Sequence, residues 1–253
     1  MEGVLVTGAA RRVGRAIASA LADDGWFVCI HCNRSAGEAE ALRDAIRARG
    51  GRAEIVPADL ESIPETETLL ARAAKLCGGL SVLINNASLF DYDDLDSLTA
   101  AGWDRQMAVN LRAPALLARD FARLLPPERS GCIINLLDQK LWNLNPDFLS
   151  YTVSKVGLHG LTELLAMALA PRVRVCGIAP GLLLPSGKMT QEGFERAHVR
   201  TPLGRGPTVP EIVAAVRFIL ATPAFNGQTL TIDGGESLRP RRKDLQFDSG
   251  QSE

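Results

Sequence analysis

Tyr151 and Lys155 stand four residues apart at the start of a stretch with helical periodicity, so a phenol and an ammonium share one helix face. A cation beside a phenol lowers its pKa, and the spacing leads us to expect that Tyr151 donates a proton at neutral pH. The turn Thr7-Gly8-Ala9-Ala10-Arg11-Arg12-Val13-Gly14 joins an apolar segment to a helical one. Glycines in such a turn let the backbone approach a pyrophosphate, which rests on the helix N-terminus. A third feature is His31-Cys32-Asn33-Arg34-Ser35, with no acid before Glu38. An acid there would bond the ribose 2′-hydroxyl of NAD, whereas the Arg34 guanidinium and a hydroxyl at a helix start suit a 2′-phosphate. The expected cofactor is therefore NADPH rather than NADH.

These residues are positioned by apolar segments that alternate with helical ones along the chain. Strands are expected at 3–7, 27–32, 53–58, 80–87, 132–137, 173–178 and 228–232. Helices are expected at 12–24, from Ser35 as cap to about 49, and at 64–77, 99–125, 148–170 and about 210–221. Val13, Ala16, Ile17, Ala20 and Leu21 show the helical spacing in the first of them. Strands apolar on both faces suit a parallel sheet covered on each side, and repeated β-α units give right-handed crossovers. The expected fold is α/β, a doubly wound Rossmann-type parallel sheet of about seven strands in a single domain, 1–238. Residues 182–207 break the rhythm and read as a lid with a short helix near 191–198. Residues 239–253, with Arg239, Arg241, Arg242 and Lys243, read as a polar, solvated tail.

The 253 residues suffice for a full hydrophobic core. With 28 basic and 29 acidic residues, a broad nucleic-acid footprint is not expected. No apolar run is long enough for a membrane span, and the N-terminal stretch lacks the order of a secretory signal, so a cytoplasmic location is expected. The five cysteines are scattered, which argues against a disulfide framework. Cys29 and Cys32 form a C-x-x-C inside an apolar run, with His31 the only nearby histidine, and read as core rather than a metal site. His159 and His198 read as structural or surface residues.

Taken in order, Thr7-Gly8 through Gly14, Asn85-Asn86-Ala87, Asn110, Tyr151 with Lys155, Pro180-Gly181 and Asp233-Gly234-Gly235 resemble the short-chain dehydrogenase/reductase family over about residues 1–238. The resemblance implies hydride transfer with NAD(P), with Tyr151 as acid/base and Lys155 binding the nicotinamide ribose and tuning Tyr151. It implies that Asn110 holds a helix kink and a water of the proton relay. The matching cofactor contacts would be Gly8, Arg12, Val13, Gly14, Asn33, Arg34, Ser35, Asp59, Leu60, Asn86, Ala87, Ser88, Pro180 and Gly181, besides Tyr151 and Lys155. A homotetramer or homodimer built through the long helices after the fourth and fifth strands is also implied.

Two departures from the family pattern carry the substrate argument. Arg12 stands where the glycine turn usually has Gly, and Asp138 stands 13 residues before Tyr151 where a Ser is usual. A hydroxyl can donate to a carbonyl oxygen, whereas an ionised carboxylate only accepts. Asp138 can accept from N–H groups or, once protonated, donate to nitrogen, which points to a nitrogen-rich substrate with a C=N bond. The same departures, with Asn86-Ala87-Ser88-Leu89-Phe90, are similar to the pteridine reductase and dihydromonapterin reductase-like branch. That likeness implies a pterin-like substrate stacked on Phe90, with Arg12, Ser88, Asp138 and Tyr151 around it and no metal. The expected activity is NADPH-dependent reduction of a dihydropterin, and possible activity on dihydrofolate is part of the same expectation. The alternatives are a short-chain reductase of a carbonyl, such as a 3-oxoacyl thioester or small ketone, and a catalytically weak NADP(H)-binding sensor or scaffold.

Overall fold

The computed structural model describes residues 2–186, 189–244 and 247. Seven parallel strands make one sheet: β1 Gly3–Val6, β2 Phe27–Cys32, β3 Arg52–Pro57, β4 Leu80–Asn85, β5 Gly131–Leu136, β6 Val173–Pro180 and β7 Thr229–Ile232. Their order is β3-β2-β1-β4-β5-β6-β7, so the strand order reverses between β1 and β4. In open α/β sheets that reversal leaves a crevice beyond the carboxyl ends of the strands, where ligands bind.

Alternation along each strand explains the two-sided core. Val4, Val6, Val82, Ile84 and Ile134 face one layer, formed by α1 (Arg12–Asp23), α2 (Ala36–Ala48) and α8 (Val209–Ala221), through Ile17, Leu21, Leu42, Ile46, Ile212 and Ile219. Leu5, Leu83 and Ile133 face the other, where α3 (Ile63–Cys77), α5 (Ala113–Leu124) and α6 (Leu149–Leu169) supply Leu69, Leu70, Leu117, Phe121 and Ala166. Cys29 is buried in the second layer and Cys32 in the first; facing opposite sides of one strand, they cannot pair, and both are free thiols. Among the described residues no group of His, Cys, Asp and Glu could hold a metal ion, and no helix is long and apolar enough to cross a membrane.

The long helical segment expected over 99–125 is interrupted. It forms α4 (Ala100–Met107), a π-helical turn (Ala108–Arg112) and then α5. The wider turn absorbs an extra residue and turns Asn110 inward, where it is 1% exposed. Asn110 Nδ2 donates to the Leu89 carbonyl at 3.0 Å and to Ser154 Oγ at 3.0 Å, and Oδ1 accepts from Leu89 N at 2.8 Å. One side chain thereby ties the loop after β4 to the helix that carries Tyr151. The short helix expected near 191–198 is α7 (Gln191–His198), capped by Thr190 through Gly193 N.

The C-terminal segment departs from expectation. Its described residues are largely exposed but not frayed, being tied at several points to the turn after β5. Asn143 Nδ2 donates to the Arg239 carbonyl, Arg241 N donates to Asn143 Oδ1, and Asp244 pairs with the buried Lys140 at 2.8 Å. Of the basic cluster, Arg239, Arg242 and Lys243 are exposed as the composition suggests.

Candidate active site

At the β1/β4 switch point a cleft of about 680 Å³ opens, within the roughly 300–1,000 Å³ common for small-molecule sites. Every site residue expected from the sequence lines it except Asn110, which is buried behind it. Asn85 of the Asn-Asn-Ala stretch instead turns into the core and bonds Asn135.

The glycine turn is held from below by two side chains. Asn86 Nδ2 donates to the carbonyls of Thr7 (2.8 Å) and Gly8 (3.2 Å), and Thr7 Oγ1 accepts from Asn86 N and Ala87 N. Gly8 adopts φ +62°, a left-handed conformation that glycine enters without penalty. Gly14 is required for a different reason: a Cβ there would run into the Gly8 carbonyl oxygen and come within 2.5 Å of Asn86 Nδ2. His31, considered from sequence only as a metal ligand, is a third support. Its Nδ1 accepts from Gly8 N at 2.9 Å, which leaves Nε2 protonated to donate to the Ala58 carbonyl at 3.1 Å. Burial pushes its pKa down to about 4, so the neutral tautomer this geometry needs persists at physiological pH.

The N-terminus of α1 has no side-chain cap, and Arg11 and Arg12 flank it. At the end of β2, Asn33 and Arg34 are exposed at the cleft, with Ser35 beside them. The cap expected of Ser35 is not made: Ser35 occupies the N-cap position of α2, but its hydroxyl bonds no helical amide. Asp59 and Leu60 follow β3, and Pro180-Gly181 follow β6, with Gly181 N tied to the Ile232 carbonyl. A positive helix terminus, basic side chains and a glycine cradle suit an anionic dinucleotide, and Arg34 in place of an acid suits one bearing a 2′-phosphate.

The chemical groups meet on the other side of the cleft. Tyr151 donates its phenolic proton to Asp138 Oδ2 at 2.7 Å, and Asp138 Oδ1 accepts from Lys140 N at 2.9 Å, capping a 3₁₀ turn at Gln139–Trp142. Burial raises the Asp138 pKa above the usual carboxylate value. The expected lowering of the Tyr151 pKa is not what the structure displays. Burial, followed by the Asp138 charge, raises it well above the ordinary phenol value. The Lys155 ammonium lies 5.6 Å from the Tyr151 ring centre and donates to the Leu136 carbonyl at 2.7 Å, while the phenol bonds Asp138. Burial lowers its own pKa to about 8. Ser88 Oγ donates to Asn110 Oδ1 at 3.2 Å, at the cleft wall.

Phe90 lines the cleft with its ring stacked on Phe148 at 4.1 Å and edge-on to Tyr151 at 4.5 Å. Phe148 sits at φ +55°, just before α6. Arg12 is the other non-glycine residue at positive φ, +53°, at the position where the family pattern has glycine. Its guanidinium donates to the Pro185 carbonyl at 2.9 Å, joining the glycine turn to the segment after β6. A left-handed conformation costs a residue with a Cβ about 1–2 kcal/mol. Arg12→Gly is therefore expected to fold at least as stably, by up to about 1 kcal/mol in denaturant unfolding, while the substrate KM rises. A destabilised variant with unchanged kinetics would contradict this assignment.

Sequence reasoning did not single out Lys140, Asn143 or Glu236. Glu236 is 1% exposed yet borders the cleft, accepting from Gln139 Nε2 at 3.2 Å, and burial pushes its pKa up to about 7. Nothing in their spacing marks them, because each has a deciding partner about 100 residues away in the chain. Trp142 is 46% exposed and edge-on to His159, outside the cleft.

A family model described as short chain dehydrogenase matches residues 2–196. Among curated proteins, a 3-oxoacyl-[acyl-carrier-protein] reductase FabG of Staphylococcus aureus is 30% identical over 92% of this chain and 97% of its own length. A 3-oxoacyl-[acyl-carrier-protein] reductase of Synechocystis is 32% identical over 91% and 95%. Among solved structures, FolM alternative dihydrofolate reductase 1 from Brucella canis, complexed with NADP, is 45% identical with a TM-score of 0.92 over 95% of each chain. The Brucella suis protein of the same description, also with NADP, is 44% identical with a TM-score of 0.88 over 94% of this chain and 96% of its own.

Proposed function

The chain belongs to the short-chain dehydrogenase family, and we propose that within it the chain is an NADPH-dependent reductase of a pteridine, taking a dihydropterin to its tetrahydro form and accepting dihydrofolate in the same site. The observation that carries this reading is the Tyr151–Asp138 hydrogen bond of 2.7 Å in the cleft. A carboxyl stands where carbonyl chemistry would use a hydroxyl. The likeness to the two FolM dihydrofolate reductases supports the same substrate class and cofactor.

NADPH, when bound, supplies the hydride that reduces the ring carbon of the C=N bond. Gly8, Val13, Gly14, Asn86, Ala87, Pro180 and Gly181 would form its walls, Asn33, Arg34 and Ser35 would take the 2′-phosphate, and Asp59 and Leu60 the adenine side. Lys155 would hold the ribose, and its charge steadies an anionic neighbour. Tyr151 and Asp138 share one proton along their hydrogen bond and deliver it to the ring nitrogen, so that one C–H and one N–H bond form as the C=N double bond is lost. Burial and the Asp138 charge keep the proton on this pair: they raise the Tyr151 pKa well above the ordinary phenol value, so the phenol does not surrender it to solvent at neutral pH. Asn110 holds the loop bearing Ser88 against α6. Phe90 offers a ring face for stacking, and holding two flat rings in register is a large part of the rate.

The curated relatives near 30% identity favour a second reading, reduction of a 3-oxoacyl thioester. NADPH oxidation at 340 nm with dihydropterin, dihydrofolate and a set of 3-oxoacyl thioesters and small ketones separates the two. Turnover of the pteridines alone is expected. Turnover of carbonyls but not pteridines would overturn the pteridine reading, and tight NADPH binding with no turnover on either set would favour a sensor or scaffold. The exposed apolar side chains of α6, Val153, Val156, Leu164 and Met167, are where we place self-association into a dimer or tetramer. A monomer by light scattering would count against that.

A further inference from the structure

The segment after β7 is joined to the turn that carries Asp138 by hydrogen bonds along its length. Gln139 bonds Glu236, Asn143 clips Arg239 and Arg241 from both sides, and Asp244 N donates to Asp147 Oδ2 at 2.7 Å. Lys140 is the centre of this arrangement. Its side chain is only 4% exposed, and its ammonium donates to Asn145 Oδ1 (3.0 Å), the Asp147 carbonyl (3.1 Å) and Asp244 Oδ2 (2.8 Å). An ammonium has three protons, so the set is complete, and Asp244 supplies its anionic member. The same residue's backbone amide holds Asp138 Oδ1. Arg241, Lys243 and Asp244 also border the cleft.

We propose that residues 239–244 are a fixed wall of the substrate side of the cleft and that Asp244 is a positioning residue for Asp138, acting through Lys140. This rests on the reductase reading above. Without Asp244 the buried cation keeps two neutral acceptors, and an uncompensated buried charge is strongly unfavourable. Lys140 then withdraws toward water and drags its amide from Asp138. A misplacement of about 1 Å at a reacting group can cost on the order of 100-fold in rate. The charged wall also explains how a cleft with Leu182, Leu183 and Leu184 on its lid side can select a substrate with a polar edge.

The test uses the full chain with Asp244→Ala and with Asp244→Glu as the conservative variant. Two readouts are taken. In the absence of substrate, trypsin cleavage at Arg241, Arg242 and Lys243 reports whether the segment is docked. It is expected to be slow in the native chain, at least about tenfold faster in Asp244→Ala, and largely restored in Asp244→Glu, since opening the segment sets the cleavage rate. In kinetics, Asp244→Ala is expected to lose about tenfold or more in kcat and to raise the substrate KM, with NADPH affinity nearly unchanged and partial rescue by Asp244→Glu. Equal cleavage in the native chain and Asp244→Ala would overturn the docking. Faster cleavage with unchanged kcat and KM would overturn the positioning role. If the native chain reduced carbonyls and no pteridine, the pteridine reading would fail, and the same two readouts on that carbonyl would still decide the role of Asp244.

Discussion

Asp138→Ala is expected to lower kcat/KM for the dihydropterin by about 10²–10⁴-fold, the usual worth of a positioned acid/base group, with NADPH binding nearly intact. The asymmetry comes from geometry. Asp138 contacts Tyr151 and the Lys140 amide, on the opposite side of the cleft from the glycine turn. Alanine also removes the cap of the 3₁₀ turn, worth about 1 kcal/mol, so a folding defect must be separated from a chemical one. Asp138→Asn does that: its carbonyl oxygen can still accept from Lys140 N, but a carboxamide has no proton to deliver at neutral pH. Both variants should be slow, and only alanine should be less stable. A pH profile adds a second check. Burial and the Asp138 charge raise the Tyr151 pKa well above the ordinary phenol value, so a rate that needs the shared proton is full across neutral pH and falls only as pH rises through that raised value. In Asp138→Asn the carboxylate charge that helps hold the proton is gone, so this limb should move to lower pH. Native-like turnover of a pterin by Asp138→Ala would show that Asp138 caps its turn and does nothing else.

What was legible in the sequence was whatever depends on near neighbours. Val13, Ile17 and Leu21 recur at helical spacing, and α1 buries Ile17 and Leu21. Apolar runs such as Val4-Leu5-Val6 are apolar on both faces, and the sheet is covered on both. Residues that gather at the carboxyl ends of parallel strands follow from that architecture, which is why the expected cleft residues converge. Less was legible where one long contact decides. Spacing puts Lys155 on the face of Tyr151, but the side chain is long enough to find the Leu136 carbonyl, and burial with the Asp138 charge then sets the phenol's pKa. A π-helical turn differs from an α-helical one by a single residue, too little to disturb the apolar pattern over 99–125. The C-terminal segment is polar by composition, and polar segments are usually solvated. Its docking depends on Lys140 being buried with a carboxylate 104 residues away, which no local pattern displays.

Gly14→Ala is expected to raise the NADPH dissociation constant by on the order of 100-fold, about 2.7 kcal/mol, from the addition of one methyl group. The added Cβ would meet the Gly8 carbonyl oxygen, Asn86 Nδ2 at 2.5 Å and Ala9 Cα at 3.0 Å. Two of these three are backbone atoms that cannot rotate away. The third is fixed by its bonds to the Thr7 and Gly8 carbonyls. Relief therefore requires α1 to move off the turn, or the turn to open and break the Gly8–His31 hydrogen bond as well. Overpacking of this kind costs about 1–3 kcal/mol in stability, and the same displacement spoils the helix terminus as a phosphate seat. Gly37→Ala is the control. It lies in the first turn of α2, has open space around its Cβ position, and should be neutral or slightly stabilising, because alanine favours a helix over glycine. Fluorescence titration with NADPH and thermal unfolding of both variants separate the general effect of the substitution from the local one. If Gly14→Ala bound NADPH as tightly as the native chain, the close approach of α1 to the turn would not be what seats the cofactor, and Arg11, Arg12 and Arg34 would have to hold it by charge alone, with an affinity that collapses in salt.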